Sequence, residues 1–164
     1  MQRLLFGAIA GVCATMAMTS GMRLLFRRLP QRHRYPLPPR EITEDLVPAP
    51  RRALPSLTVL AHFGYGALAG AVFPMLPAFL RNGPLYGVAV WGLSYLGWIP
   101  AARVLRPATL HPGQRNLLMI AVHLVWGLAL SMNHRELERS ARDVFAGGPE
   151  PDRHKYPQPG RTGY

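Results

Sequence analysis

The chain has 164 residues, of which 49% are hydrophobic and 16% charged, and its formal net charge is +11. The hydrophobic residues form four long runs with no polar face, which disfavours a soluble helical bundle because its helices need a polar outer surface. The arginine excess would suggest nucleic acid in a soluble protein, but here the arginines flank the apolar runs. We therefore expect a lipid bilayer, and no nucleic acid, as the partner.

The first apolar run covers residues 4–26 and is followed by Arg27 and Arg28, which end it as they would end a membrane helix. The run is longer than the apolar core of a signal peptide, so we interpret it as an uncleaved span. Gly7 and Gly11 are four residues apart on one face, which predicts close packing against another helix.

A polar, proline-rich segment follows, and it contains a short predicted helix over residues 40–46. Pro39 suits the first helical position, where a missing N–H leaves no hydrogen bond unmade. Glu41, Glu44 and Asp45 fall in the first turns, near the positive end of the helix dipole. The helix is expected to lie at the bilayer surface, and the alternative is a solvated acidic turn that neutralises nearby arginines.

The second predicted span covers residues 57–80. His62, Gly66 and Gly70 are spaced four apart, so they share one face, and that face must contact protein if the histidine is to avoid lipid. Pro74 and Pro77 are expected to kink its far end.

A third span is predicted over residues 85–105, with Gly87 on its small-residue face and a bend at Pro100. A bent or partly re-entrant helix is the alternative. The fourth span, residues 116–132, carries His123 and Gly127 on one face, and its helix is expected to continue outside the membrane to about residue 146. Residues 147–164 are rich in proline, glycine and charge, which predicts a disordered tail.

The predicted fold is therefore all-α: a polytopic membrane protein with a four-helix transmembrane bundle in one domain, residues 1–146. The positive-inside rule, applied to the span flanks, favours cytoplasmic loops, whereas the arginines of the tail favour the opposite orientation. In either orientation the second and fourth spans enter from the same side, so their histidines lie at similar depth. The sequence thus predicts one polar cluster, composed of His62, His123, Glu41, Arg40 and Asp45.

Three short motifs resemble the YagU-like family of small bacterial inner-membrane proteins. They are the sequence PLPPR at residues 36–40, a histidine early in a later helix, and HLVW at residues 123–126. The resemblance implies a multi-pass protein of the bacterial inner membrane, and it implies no reaction, because the family has no established one.

Three functions remain open from the sequence. The first is a non-enzymatic membrane protein whose histidine cluster supports packing, proton sensing or passage of a small solute, since histidine changes charge near neutral pH. The alternative is an intramembrane metal-dependent enzyme that uses His62, His123 and a loop carboxylate. The third is an accessory role with a membrane-protein partner or as a homo-oligomer. With no catalytic or metal-binding motif in the chain, we expect no enzyme activity, cofactor or metal.

Overall fold

The structure is a computed structural model that describes residues 1–146, and every regular element in that range is helical. The α-helices are α1 (Gln2–Phe26), α2 (Pro38–Leu46), α3 (Leu54–Val72), α4 (Gly83–Gly92), α5 (Ile99–Ala101) and α6 (Gly113–Asp143). A π-helix, Leu93–Trp98, joins α4 to α5, and single 3-10 turns lie at Gln31–His33, Phe73–Met75, Ala78–Leu80 and Ala108–Leu110.

Three helices are long and apolar enough to cross a membrane: Gln2–Phe26, Leu54–Met75 and Gly113–Asp143. The last two begin three residues before the predicted spans. The second is shorter at its far end than predicted, because Pro74 and Pro77 lack the N–H that would continue the α-helical ladder. The last helix ends at Asp143, and the predicted disordered tail lies outside the described residues.

The segment predicted as a third span, residues 85–105, is not one continuous α-helix. Its α-helical part ends at Gly92 and the π-helix follows, in which Gly97 has non-helical dihedrals (φ −105°, ψ −105°). After α5, Arg103 adopts a positive φ of 59° and the chain leaves the helix. Glycines at 92 and 97 offer little resistance to such irregular backbone.

Glycines bring α1 and α3 into direct backbone contact. A Cβ atom added to Gly7, Gly11 or Gly70 would overlap the backbone of the other helix, and one added to Gly66 would overlap the side chain of Thr15. Such contact replaces the hydrophobic driving force that is missing between helices in lipid.

A second close approach joins α4 to α6. Gly83 and Gly87 lie against the backbone of α6 at Gly127 and His123. Since α1 also packs on α6, and Tyr86 of α4 donates a hydrogen bond to the Ala69 carbonyl of α3 at 2.6 Å, the four segments surround a common interior. The core between them includes Ala14, Met18, Val122, Trp126 and Leu130.

Candidate functional site

A cavity of about 270 Å³ lies between the helices. Its wall is formed by residues of α1, α2, α3 and α6, and by the continuous segment of α4, the π-helix and α5. Aromatic side chains are prominent in it, and all three tryptophans of the chain contribute. The aromatic wall residues are Tyr65, Trp91, Tyr95, Trp98 and Trp126.

His62 and His123 both line this cavity, one from α3 and the other from α6. The Nδ1 atom of His123 lies 2.7 Å from the carbonyl oxygen of Met119, four residues earlier in the helix. A carbonyl oxygen only accepts hydrogen bonds, so Nδ1 carries a proton and donates it. In the neutral ring, Nε2 of His123 is then a hydrogen-bond acceptor.

Two hydrogen bonds join the helices around the cavity. The Thr15 hydroxyl donates to the Gly11 carbonyl at 2.8 Å and accepts from Nε1 of Trp126 at 3.0 Å, which links α1 to α6. The Tyr65 and Ser94 hydroxyls are 2.7 Å apart and link α3 to the π-helix. These polar groups are therefore satisfied within the protein.

Other polar groups of the wall are not satisfied in this way. Nε2 of His62 and Nε1 of Trp91 are buried, and neither has a hydrogen-bond partner among the residues that the structure describes. A buried polar group without a partner lowers stability by about 1–3 kcal/mol. The wall thus contains two buried nitrogen atoms whose desolvation is not compensated by a hydrogen bond within the described residues.

Helix α2 covers the cavity at its loop end, and Arg115 holds the segment before α2 in place. The Arg115 side chain is buried, with 2% exposed, at the start of α6. Its guanidinium donates to the carbonyl oxygens of Tyr35 and Pro36, each at 2.9 Å, and its central carbon lies 3.4 Å from the centre of the Tyr35 ring. Planar guanidinium groups suit such forked and stacked contacts. The proline-rich segment is therefore fixed to the last helix.

Two ionisable groups lie beside Arg115, outside the three helices that are long and apolar enough to cross a membrane. Burial raises the pKa of Glu41 above 4.5, although Arg115, 3.9 Å away, acts to lower it, and the carboxylates of Asp45 and Glu44 add to the rise. Burial also lowers the pKa of His111, whose Nδ1 atom is 3.0 Å from the Tyr35 hydroxyl. The end of the bundle thus holds a polar cluster around Arg115, and this cluster adjoins the cavity at Tyr95, a wall residue whose ring centre lies 5.5 Å from that of His111.

The predicted cluster is divided between these two places. His62 and His123 lie together on the cavity wall, whereas Glu41 lies beside Arg115 and Asp45 is exposed. Arg40 pairs with Glu44 at 2.7 Å. Within residues 1–146, no three histidine, cysteine, aspartate or glutamate side chains are grouped as metal ligands.

Sequence reasoning did not single out Arg115, Tyr35 or Trp91. Arg115 stands directly before an apolar run, where an arginine is ordinarily interpreted as an interfacial anchor. Its partners are about 80 positions away in the chain, and no local pattern reports such a contact. The signal that could have indicated the site is aromatic: the three tryptophans occur only in the third and fourth apolar runs.

Comparison of the chain with models of known families, with curated proteins and with solved structures finds no match.

Proposed function

We propose that this chain is a non-enzymatic, multi-pass protein of the bacterial inner membrane whose cavity binds a small, largely apolar molecule. The observation that carries the proposal is the cavity of about 270 Å³, walled by aromatic side chains and by two histidines from different helices. Pockets between helices with mostly apolar walls and a few polar groups are typical ligand sites.

The topology in this proposal has four spans, and α4 with the π-helix and α5 forms the third. From Gly83 to Ala101 this segment has 19 residues, which at a helical rise reach roughly 28 Å. A hydrocarbon core is about 30 Å thick. The contact of Gly83 and Gly87 with α6 supports this placement, because close packing through small residues is the usual means of association in lipid.

Membership of the YagU-like family is part of the same proposal. Its support is the motif at residues 36–40, which leads into α2, and the motif at residues 123–126, which contributes His123 and Trp126 to the cavity wall. Both motifs therefore lie at the proposed site.

The size and the charge of the wall define the ligand. An apolar cavity of about 150 Å³ in another protein holds benzene, so a cavity of about 270 Å³ has room for a substituted ring. The wall includes no lysine, arginine, aspartate or glutamate among the described residues. A charged ligand would be buried without a partner, which is strongly unfavourable, so the ligand is uncharged.

Tryptophan fluorescence tests the proposal directly, because every tryptophan of the chain lines the cavity. The full chain in detergent micelles is titrated with two brominated rings that quench tryptophan emission, 4-bromoanisole and 4-bromophenol. Occupation of the cavity gives a saturable component above the linear quenching that partition into the micelle produces.

Two matched variants identify the cavity as the place of binding. Val90→Phe adds a ring at a cavity-lining position, and Leu93→Phe adds the same ring at a side chain that is 72% exposed, three residues further along. The saturable component is expected to disappear in Val90→Phe and to remain in Leu93→Phe. Linear quenching by both probes in the unaltered protein, or equal saturation in the two variants, contradicts the proposal.

A further inference from the structure

The hydrogen-bond acceptor of His123, its Nε2 atom, restricts which ring-containing molecule the cavity can bind. Because Nδ1 of His123 is committed to the Met119 carbonyl at 2.7 Å, the neutral imidazole offers only the lone pair of Nε2 to another molecule. A bound molecule that makes this hydrogen bond must donate it. Ethers, ketones and quinones have no proton to donate at that position.

The other polar groups of the cavity wall do not favour a ligand that only accepts hydrogen bonds over one that also donates them. The Thr15 hydroxyl and the Trp126 indole are already bonded to each other. The bond between the Tyr65 and Ser94 hydroxyls uses one of their two protons, and the other can be donated to the oxygen of a phenol or of an ether alike. The indole nitrogen of Trp91 and Nε2 of His62 are enclosed by their neighbours, so that almost none of their surface is reachable. No hydrogen bond among the described residues fixes the tautomer of His62, so its Nδ1 atom can either donate to a ligand or accept from it. The nitrogen whose role toward a ligand is fixed is therefore Nε2 of His123.

The ring itself is indicated by the wall. Five aromatic side chains from α3, α6 and the segment between Trp91 and Trp98 surround the space, and rings pack on one another in offset or edge-to-face arrangements with a gain beyond area burial. Volume and the lack of charged wall residues limit the ligand to a small, uncharged molecule.

We infer that the cavity binds an uncharged hydroxylated aromatic ring, a phenol or a related membrane-soluble alcohol, with its hydroxyl donating to Nε2 of His123 and its ring among the tryptophans. The inference rests on the proposed function, since it names the ligand class of the same cavity. His123 acts here as a binding residue, and no bond is made or broken.

The two brominated rings of the fluorescence titration differ in this donor and in one methyl group, since 4-bromoanisole is the methyl ether of 4-bromophenol. Their affinities are therefore compared after division by the measured partition coefficient of each probe into the micelle, which removes the apolar contribution of the methyl group. One net hydrogen bond corresponds to a preference of about threefold to tenfold. We expect 4-bromophenol to bind more tightly than 4-bromoanisole by that factor. Equal affinities, or tighter binding of the ether, overturn the inference and leave the proposed function intact, whereas no saturation with either probe removes both.

Three variants assign the preference to His123. In His123→Phe both probes should still bind, but the preference for 4-bromophenol over 4-bromoanisole is expected to disappear. In His123→Gln, whose side-chain oxygen accepts a hydrogen bond, this preference is expected to be largely restored. A preference that survives in His123→Phe but is lost in His62→Leu places the acceptor on α3 and overturns the assignment. Saturation by 4-bromoanisole in each variant shows that the variant retains the cavity.

Discussion

The guanidinium group of Arg115 lies over the ring of Tyr35, 3.4 Å from its centre, and donates to the carbonyl oxygen of the same residue at 2.9 Å. The two residues are 80 positions apart, so the contact closes a long loop onto the start of α6. Through it, α2 is positioned over the cavity, where Pro38, Ile42 and Leu46 form part of the wall.

Replacement of Arg115 is expected to release this loop. Arg115→Ala removes two charge-assisted hydrogen bonds to the carbonyl oxygens of Tyr35 and Pro36 and the stacking on the Tyr35 ring, which we expect to lower the free energy of unfolding by about 2–4 kcal/mol. Arg115→Lys keeps the charge but loses the planar fork, and a smaller loss is expected. Thermal unfolding in detergent measures the stability, and limited proteolysis between residues 27 and 53 measures release of the loop.

The control for Arg115 is Arg40→Lys in α2. Arg40 forms a half-exposed pair with Glu44, and such pairs contribute less than about 1 kcal/mol. If Arg115→Lys were no more destabilising than Arg40→Lys, with the same cleavage rate of the loop, Arg115 would not hold the segment in place.

Two glycines of α3 are expected to respond in opposite directions to the same substitution. A Cβ at Gly70 would overlap the backbone of α1 at Gly7 and Gly11, whereas a Cβ at Gly64 meets no atom within 4 Å. Gly70→Ala should lower stability by about 1–3 kcal/mol or more, because backbone cannot move aside as a side chain can. Gly64→Ala should raise it by up to about 1 kcal/mol, since alanine favours the helix. Equal melting temperatures for the two variants would contradict the close crossing of α1 and α3.

Glu41 is expected to make the protein less stable as the pH rises. Its pKa is above 4.5 in the folded protein because of burial, so the folded state holds a proton that the unfolded state has already released. The resulting stabilisation is complete below about pH 4.5 and is lost as the pH rises through the folded pKa. Glu41→Gln should flatten this part of the stability profile and be at least as stable as the unaltered protein at pH 7.

The control for this profile is Glu136→Gln, which removes an exposed carboxylate on α6 that does not contribute to the Glu41 pKa. Its slope between pH 4.5 and 7 is expected to match that of the unaltered protein. A Glu41→Gln protein that is clearly less stable at pH 7 would show instead that the attraction of Arg115 outweighs the burial of the carboxylate.

The hydroxyl of Thr15 is expected to matter through its partner on α6. Thr15→Val has nearly the same shape, but it leaves the indole N–H of Trp126 without an acceptor where only 3% of the tryptophan is exposed. We expect a loss of about 1–3 kcal/mol in chemical denaturation. Thr19→Val, one turn later, removes only a bond to its own helix and should change stability by less than half as much.

Local pattern was enough to predict the main helices. Apolar runs bounded by arginine indicate α1, α3 and α6 within a few residues. Pro39 indicates the start of α2, which the sequence predicts over residues 40–46 and which begins two residues earlier, at Pro38. The four-residue spacing of Gly66 and Gly70 led to the expectation that this face of α3 contacts protein, and the structure places both residues against α1.

What local pattern does not contain is the contact of segments far apart in the chain. The π-helix at Leu93–Trp98 contains Ser94, which is hydrogen-bonded to Tyr65 of α3, 29 positions earlier, whereas propensity alone indicates a plain α-helix there. The sequence predicts Glu41 beside His62 and His123, because α2 and the two histidines belong to the same end of the bundle. The structure turns it toward Arg115 instead, because the bonds of Arg115 to Tyr35 and Pro36 set the position of α2.

His62 and His123 face one cavity, and cysteine cross-linking within the monomer tests this arrangement most directly. The native cysteine is first removed with Cys13→Ser, and His62→Cys is then combined with His123→Cys in the full chain. A bifunctional thiol reagent with a short spacer should join the pair quickly. A control pair with Leu68→Cys, on an exposed part of α3, should react far more slowly. A failure of the first pair to cross-link, or equal rates for the two pairs, would contradict the account.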